Sequence, residues 1–157
     1  MWTPTLSSIA ATTLLACVVF GGGLYETIVV DPAWPERPGI IQAHNGGLSR
    51  RRFWIPAHTA FEVLLILALV GSWSHPDVRT ALLVALGSHA VMRVWSLVDF
   101  VPKAVAFEKC DPVEVDEAAG LRWVRRSRLR LPLDLVTCIA MLAALAVAYK
   151  RAISGHS

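Results

Sequence analysis

The chain has 157 residues, of which 55% are hydrophobic, and carries a formal charge of +3. Its mean hydropathy is +0.52. Four long apolar runs cannot all be interior in so small a water-soluble body, so a soluble globular domain is excluded and bilayer is the cheaper solvent. The basic excess sits beside apolar runs and leaves no soluble recognition fold, so no nucleic-acid partner is expected.

The first span is expected over residues 6–30. Residues 1–25 hold no charged side chain, and Glu26 is the only one before Asp31. Leu14-Leu15-Ala16-Cys17 loosely matches a lipoprotein cleavage box, but a signal wants a positive n-region, so the run reads as a retained span. Gly21-Gly22-Gly23 fits close helix approach. Residues 31–52 read as loop, punctuated by Pro32, Pro35, Pro38, Gly39, Gly46 and Gly47. Trp34 is expected there as an interfacial anchor, and Arg50-Arg51-Arg52 before Phe53-Trp54 as a basic flank with an aromatic belt.

The second span is expected over 53–73, with Pro56 in its first turn. A short connection makes the third span, 78–100, its antiparallel neighbour, with Asp77 a candidate cap and Pro102 the stop. Residues 103–130 are amphipathic and read as a surface loop with a helical lead-in. The fourth span follows over 131–149, with Pro132 starting or kinking it. Each is near the ~20 residues needed to cross hydrocarbon. The expectation is an all-α, four-helix transmembrane bundle, up-down-up-down, in one domain. Cys17, Cys110 and Cys138 form no metal or disulfide pattern and read as small apolar residues.

Basic residues concentrate in the 31–53 and 101–130 segments. The positive-inside rule then places both long loops in the cytoplasm and both termini outside a cell membrane.

Charged side chains within spans require an explanation. Here they are Glu26, Glu62, Arg93 and Asp134, accompanied by His58 and His89. At ~1.5 Å per residue, His58 and Asp134 lie roughly 6–8 Å deep, Arg93 about 10 Å, and Glu62 and His89 about 14–16 Å, all in the loop-side half. His58 and Glu62 share a face at i,i+4, as do His89 and Arg93. Glu62 is expected to meet His89, and His58 to meet Arg93.

Two readings follow. One is polar glue between helices, with Glu62–Arg93 a structural pair. The other is a pocket. In it Glu62, His58, His89 and Arg93 carry acid/base chemistry on a lipophilic small molecule, with Arg93 either binding a developing oxyanion or holding Glu62 ionised. Glu26, Asp134 and Trp54 would help bind the substrate. No tightly bound organic cofactor is expected. Iron or zinc on Glu26, His58, Glu62 and His89 is the alternative chemistry, opposed by the neighbouring Arg93. The loop histidines His44 and His75 read as solvated. The rival class is a non-catalytic subunit or transporter, with Ala140, Ala144 and Ala148 a small-residue face for a partner helix or a second copy.

Asp99-Phe100-Val101-Pro102-Lys103, followed by Trp123-Val124-Arg125-Arg126-Ser127-Arg128-Leu129-Arg130, resembles the anthrone-oxygenase-like four-helix membrane proteins. That family carries Asn-x-Pro after its third helix and Trp followed by Asn-Arg-x-Arg before its fourth. Asp99 and Ser127 stand where Asn is usual, and the spacing at Asp99 is altered. The resemblance implies a four-helix membrane fold and cofactor-independent oxygenation of an aromatic polycycle. A fainter likeness, confined to His58-x3-Glu62, is to sterol-isomerase-like bundles. An oxidoreductase or an isomerase is therefore the expected class of enzyme, if the protein is one.

Overall fold

The computed structural model describes residues 4–154. Four apolar helical segments, each long enough to cross a bilayer, dominate it: Pro4–Val30, Arg51–Gly71, Pro76–Lys109 and Glu117–Ser154. Their regular parts are α1 (Pro4–Tyr25), α2 (Arg51–Gly71), α3 (Pro76–Trp95), α4 (Val101–Lys109), α5 (Glu117–Ser127) and α6 (Leu131–Ser154). There is no β-strand among the described residues, and the four spans run up-down-up-down as an all-α bundle.

The burial pattern is inverted relative to a soluble bundle. Outward faces hold Leu14, Ile66, Val70, Val94, Val98 and Ile139, all more than half exposed. The interior takes in Thr12, Thr13, His58, His89, Ser96 and Thr137. An apolar exterior around a partly polar interior is stable only where the surroundings are themselves apolar. The buried hydroxyls are satisfied locally or across helices. Thr13 Oγ1 lies 2.8 Å from the Ile9 carbonyl and 3.2 Å from that of Met141, and Ser88 donates to the Leu133 carbonyl at 2.8 Å. Such contacts are the usual adhesive between membrane helices.

Neighbour relations depart from the expected order. α3 packs along α6, α6 along α1, and α1 along α2, whereas α2 and α3 touch sparingly despite their short connection. The small residues on α6 explain this. Ala140 and Ala144 are buried in the apolar core with Ile9, Leu82 and Met141, so this face lies inside the bundle and is not free for a partner. The seam between α2 and α3 is bridged instead by long side chains.

Three boundaries also differ. α2 begins at Arg51, so Pro56 lies inside the helix and not in its first turn. Asp77 is not the N-cap of α3, which is His75. Asp77 lies in the first turn and ties α3 to the end of α6 through Arg151 at 2.8 Å. The third span does not stop at Pro102. A wide π-turn over Ser96–Phe100 hands the chain to α4, with Pro102 near its start. The wider turn accommodates a residue that lacks an N–H and whose ring would clash in a regular helix. Similarly, a 3-10 turn over Arg128–Arg130 joins α5 to α6, and Pro132 falls in the opening turn of α6.

The loops form a cap over one end. Trp34 is fully buried, not an interfacial anchor. It packs on Phe107 at 5.1 Å and Trp123 at 5.8 Å between ring centroids. Gly120 makes room for it: a Cβ there would lie 3.1 Å from the Trp34 ring. Gln42, also fully buried, donates to the carbonyls of Phe107 and Cys110 and accepts from Asn45.

Candidate functional site

A cavity of about 450 Å³ lies beneath this cap, where α1, α2, α3 and α6 converge. Much of its wall is apolar, including Ile55, Met92, Leu97, Phe100 and Leu131. Set into that wall are charged groups from every span.

α1 ends in a π-turn over Glu26–Val30 that delivers Glu26 and, just beyond it, Asp31. Glu26 accepts from Arg50 at 3.2 Å and from the Trp54 indole at 2.8 Å. Arg50 also pairs with Glu108 of α4 at 3.1 Å and lies 5.5 Å from the Trp123 ring centroid. α1 approaches α2 and α6 closely because Gly22 and Gly23 leave room for Phe53 and for Leu131 and Asp134. From α2, Trp54 stacks on His58 with ring centroids 5.3 Å apart.

From α6, Asp134 and Arg130 enter the wall one helical turn apart. Arg130 donates to Ser96 Oγ at 2.8 Å and covers the Phe100 ring at 4.4 Å. Asp31 is 2% exposed, and burial is the first cause that pushes its carboxyl up to about 6, with Glu26 adding to the effect. The Ser127 hydroxyl lies 3.4 Å from Asp31.

Three polar atoms on this wall stand out. Asp31 Oδ1, His58 Nδ1 and Asp134 Oδ1 are buried with no hydrogen-bond partner among the described residues. Leaving a buried polar atom unmatched costs roughly 1–3 kcal/mol, so such atoms in a cavity wall mark where something else is to be met.

Glu62 and His89 sit behind the wall, in the α2–α3 seam. Glu62 Oε1 accepts from Arg93 at 2.8 Å and lies 3.2 Å from His89 Nε2. His89 meets His58 at 5.5 Å between ring centroids and Phe61 at 4.7 Å. Arg93 reaches both the seam and the cavity. The structure therefore joins Glu62 to His89, as the spacing implied. Arg93 pairs with Glu62, however, and not with His58.

Of the four candidate metal ligands, His58, Glu62 and His89 converge, with one ligand atom from each within 4.8 Å of the others. Glu26 is absent from that group and is held by Arg50 and Trp54. His44 and His75 lie exposed in loops, away from the cavity.

Sequence reasoning passed over Asp31, Arg50 and Arg130 as cavity residues. Asp31 and Arg50 read as loop and flank. The i,i+4 spacing of Arg130 and Asp134 is the signal that could have found Arg130. The two stretches that carry the family resemblance do touch: the Trp123 indole donates to the Phe100 carbonyl at 3.2 Å, and Arg126 and Lys103 both pair with Asp99.

Fold and site together define a multi-pass α-helical membrane protein with a charged cavity at one end of its bundle. No protein-family model, curated protein or solved structure matches the chain.

Proposed function

We propose that this protein is a membrane enzyme that draws a lipophilic small molecule from the bilayer and moves a proton on it. The observation that carries the reading is the pairing of His58 Nδ1 and Asp134 Oδ1, buried and unpartnered, on the wall of a largely apolar cavity. Contacts between helices alone do not account for unmatched polar atoms gathered on one cavity wall. A volume of about 450 Å³ falls within the usual range for small-molecule sites.

The chemistry that suits these groups begins at a C–H beside a ketone. Asp134 takes the carbon-bound proton, while Arg93 and His58 face the oxygen that gains charge. Glu62 acts from behind by holding Arg93 and His89. Delivery of the proton to another carbon gives an isomerase. Addition of the carbanion to dioxygen, with return of the proton, gives a hydroperoxide that loses water to leave a new ketone, which is an oxygenase reaction and the outcome in line with the family resemblance. Both long loops are assigned to the cytoplasm by their basic residues, so the cavity lies at the inner leaflet of the cell membrane.

The test uses protein in lipid nanodiscs with anthrone, read by oxygen uptake, and with a β,γ-unsaturated steroid ketone, read by double-bond migration. Turnover of either is expected to fall by about 10²–10⁴-fold in Asp134→Asn and His58→Gln. Native mass spectrometry of the wild type should show a bound lipophile. Variants as active as the wild type, or a cavity that takes up no lipophile, would refute the reading.

A further inference from the structure

The geometry points to a mononuclear site for a divalent transition-metal ion, zinc or iron(II), held by His58, Glu62 and His89 in the α2–α3 seam at the edge of the cavity. The proposal depends on the preceding reading only in treating the cavity as the space the ion faces.

Three observations support it. First, the donor set is two imidazoles and one carboxylate. That combination binds catalytic zinc with a position left open, and it is also the three-residue face of non-haem iron(II) sites. Second, the donors are already gathered. Their ligand atoms lie within 4.8 Å of one another, and His89 Nε2 and Glu62 Oε1 are 3.2 Å apart. Ligands at about 2.0–2.2 Å around a tetrahedral ion are separated by roughly 3.4 Å, so one pair is at that spacing and the third closes by small side-chain rotations. Third, His58 is 7% exposed and its Nδ1 has no partner among the described residues. An unmatched imidazole nitrogen, buried beside a carboxylate and a second imidazole, can offer its lone pair to a cation when the other ring nitrogen carries the proton.

The scaffold suits the task. His58 and Glu62 lie one turn apart on α2, and His89 faces them from α3. Two helices that touch little elsewhere would be clipped together there. Trp54 stacked on His58 and Phe61 packed against His89 fix both ring planes. Of the three ligands only His58 lines the cavity, so the ion would lie at the cavity's edge, within the α2–α3 seam.

Arg93 is the opposing charge, and its placement decides how the ion is held. Both contacts of Glu62, from Arg93 and from His89, go to Oε1; an ion would replace the contact between Oε1 and His89 Nε2, while Arg93 would stay as the outer partner of the ligating carboxylate. Its positive charge disfavours a bare dication and favours one carrying hydroxide or an anionic guest. An ion here would supply a Lewis acid beside Arg93, on the side where the substrate's oxygen gains charge.

The test uses full-length protein without a histidine tag, stripped with chelator in detergent and titrated with cobalt(II). One cobalt per chain with visible absorption is expected, displaced by zinc, and azide should alter the spectrum by occupying the open position. His58→Gln, His89→Gln and Glu62→Gln should each weaken binding at least 10-fold, while Glu26→Gln should bind as the wild type does. Circular dichroism and elution volume establish that each variant is folded. A misfolded variant is replaced by the Ala substitution at the same position, and the wild-type stoichiometry and the Glu26→Gln result stand independently of it. The proposal is overturned by a folded wild type that takes up no stoichiometric cobalt, by variants that bind undiminished, or by Glu26→Gln failing with the rest. Cobalt binding without lipophile uptake would instead refute the enzyme reading and leave the metal site standing.

Discussion

Replacing Glu62 by Gln separates a structural ion pair from a working site. The amide keeps an acceptor for Arg93 at 2.8 Å and a contact for His89 at 3.2 Å, so the geometry of the seam is retained. What disappears is the charge. A hydrogen bond to an ionised group is worth about 1.5–3 kcal/mol and a neutral one about 0.5–1.5, so two weakened contacts amount to roughly 2 kcal/mol. The two side chains are 39% exposed at Glu62 and 27% at Arg93, and of the two only Arg93 lines the cavity. Interhelical polar contacts in membranes average about 0.6 and reach about 1.7 kcal/mol. The expected destabilisation is therefore about 1–2 kcal/mol, measured by reversible unfolding in mixed micelles. Turnover should fall far more, about 100-fold, because Arg93 loses the group that aims it. A variant that unfolds or loses about 4 kcal/mol would show a buried pair of the kind whose breakage is costly, and would refute the argument that Glu62 serves the site.

Other outcomes follow from single contacts. Asp31 titrates near 6 in the folded protein against 3.8 for an unperturbed aspartate, so the folded state holds the proton more tightly. Stability should decline as pH rises from about 4 through about 6, and Asp31→Asn should flatten the decline in a thermal-melt pH series. A melt that rises over that window would refute it. Gly120→Val drives a branched side chain into Trp34 and Pro35, both buried, and is expected to destabilise by about 1–3 kcal/mol despite better helix propensity; an unchanged melting temperature would contradict the packing. Cys110 caps the end of α4, half-buried in the short connection to α5, so a membrane-impermeant maleimide should label it in inverted vesicles and not in intact cells. The reverse pattern would invert the proposed orientation.

The helical bundle was legible because its cause is local. Four apolar runs of about twenty residues, separated by proline, glycine and charge, leave few other folds in which every backbone polar group is bonded. The i,i+4 spacing of His58 with Glu62 and of His89 with Arg93 is fixed by helix geometry alone, so the meeting of Glu62 with His89 across α2 and α3 was readable, whereas the expected pair of His58 with Arg93 did not form. Pro102 misled, because a proline is a stop only in a regular helix, and the π-turn before it removes the clash.

What the chain order could not supply was which helix lies against which, since that depends on side-chain volumes meeting in three dimensions. Ala140 and Ala144 draw α6 into the centre, against α1 and α3, and loosen the α2–α3 seam. That choice gives Arg93 to Glu62 and leaves His58 Nδ1 and Asp134 Oδ1 unmatched on a common wall. It also brings Asp31, Arg50 and Arg130 to the cavity from segments distant in sequence. Periodicity fixes the face a residue occupies on its own helix, whereas only packing decides what that face meets.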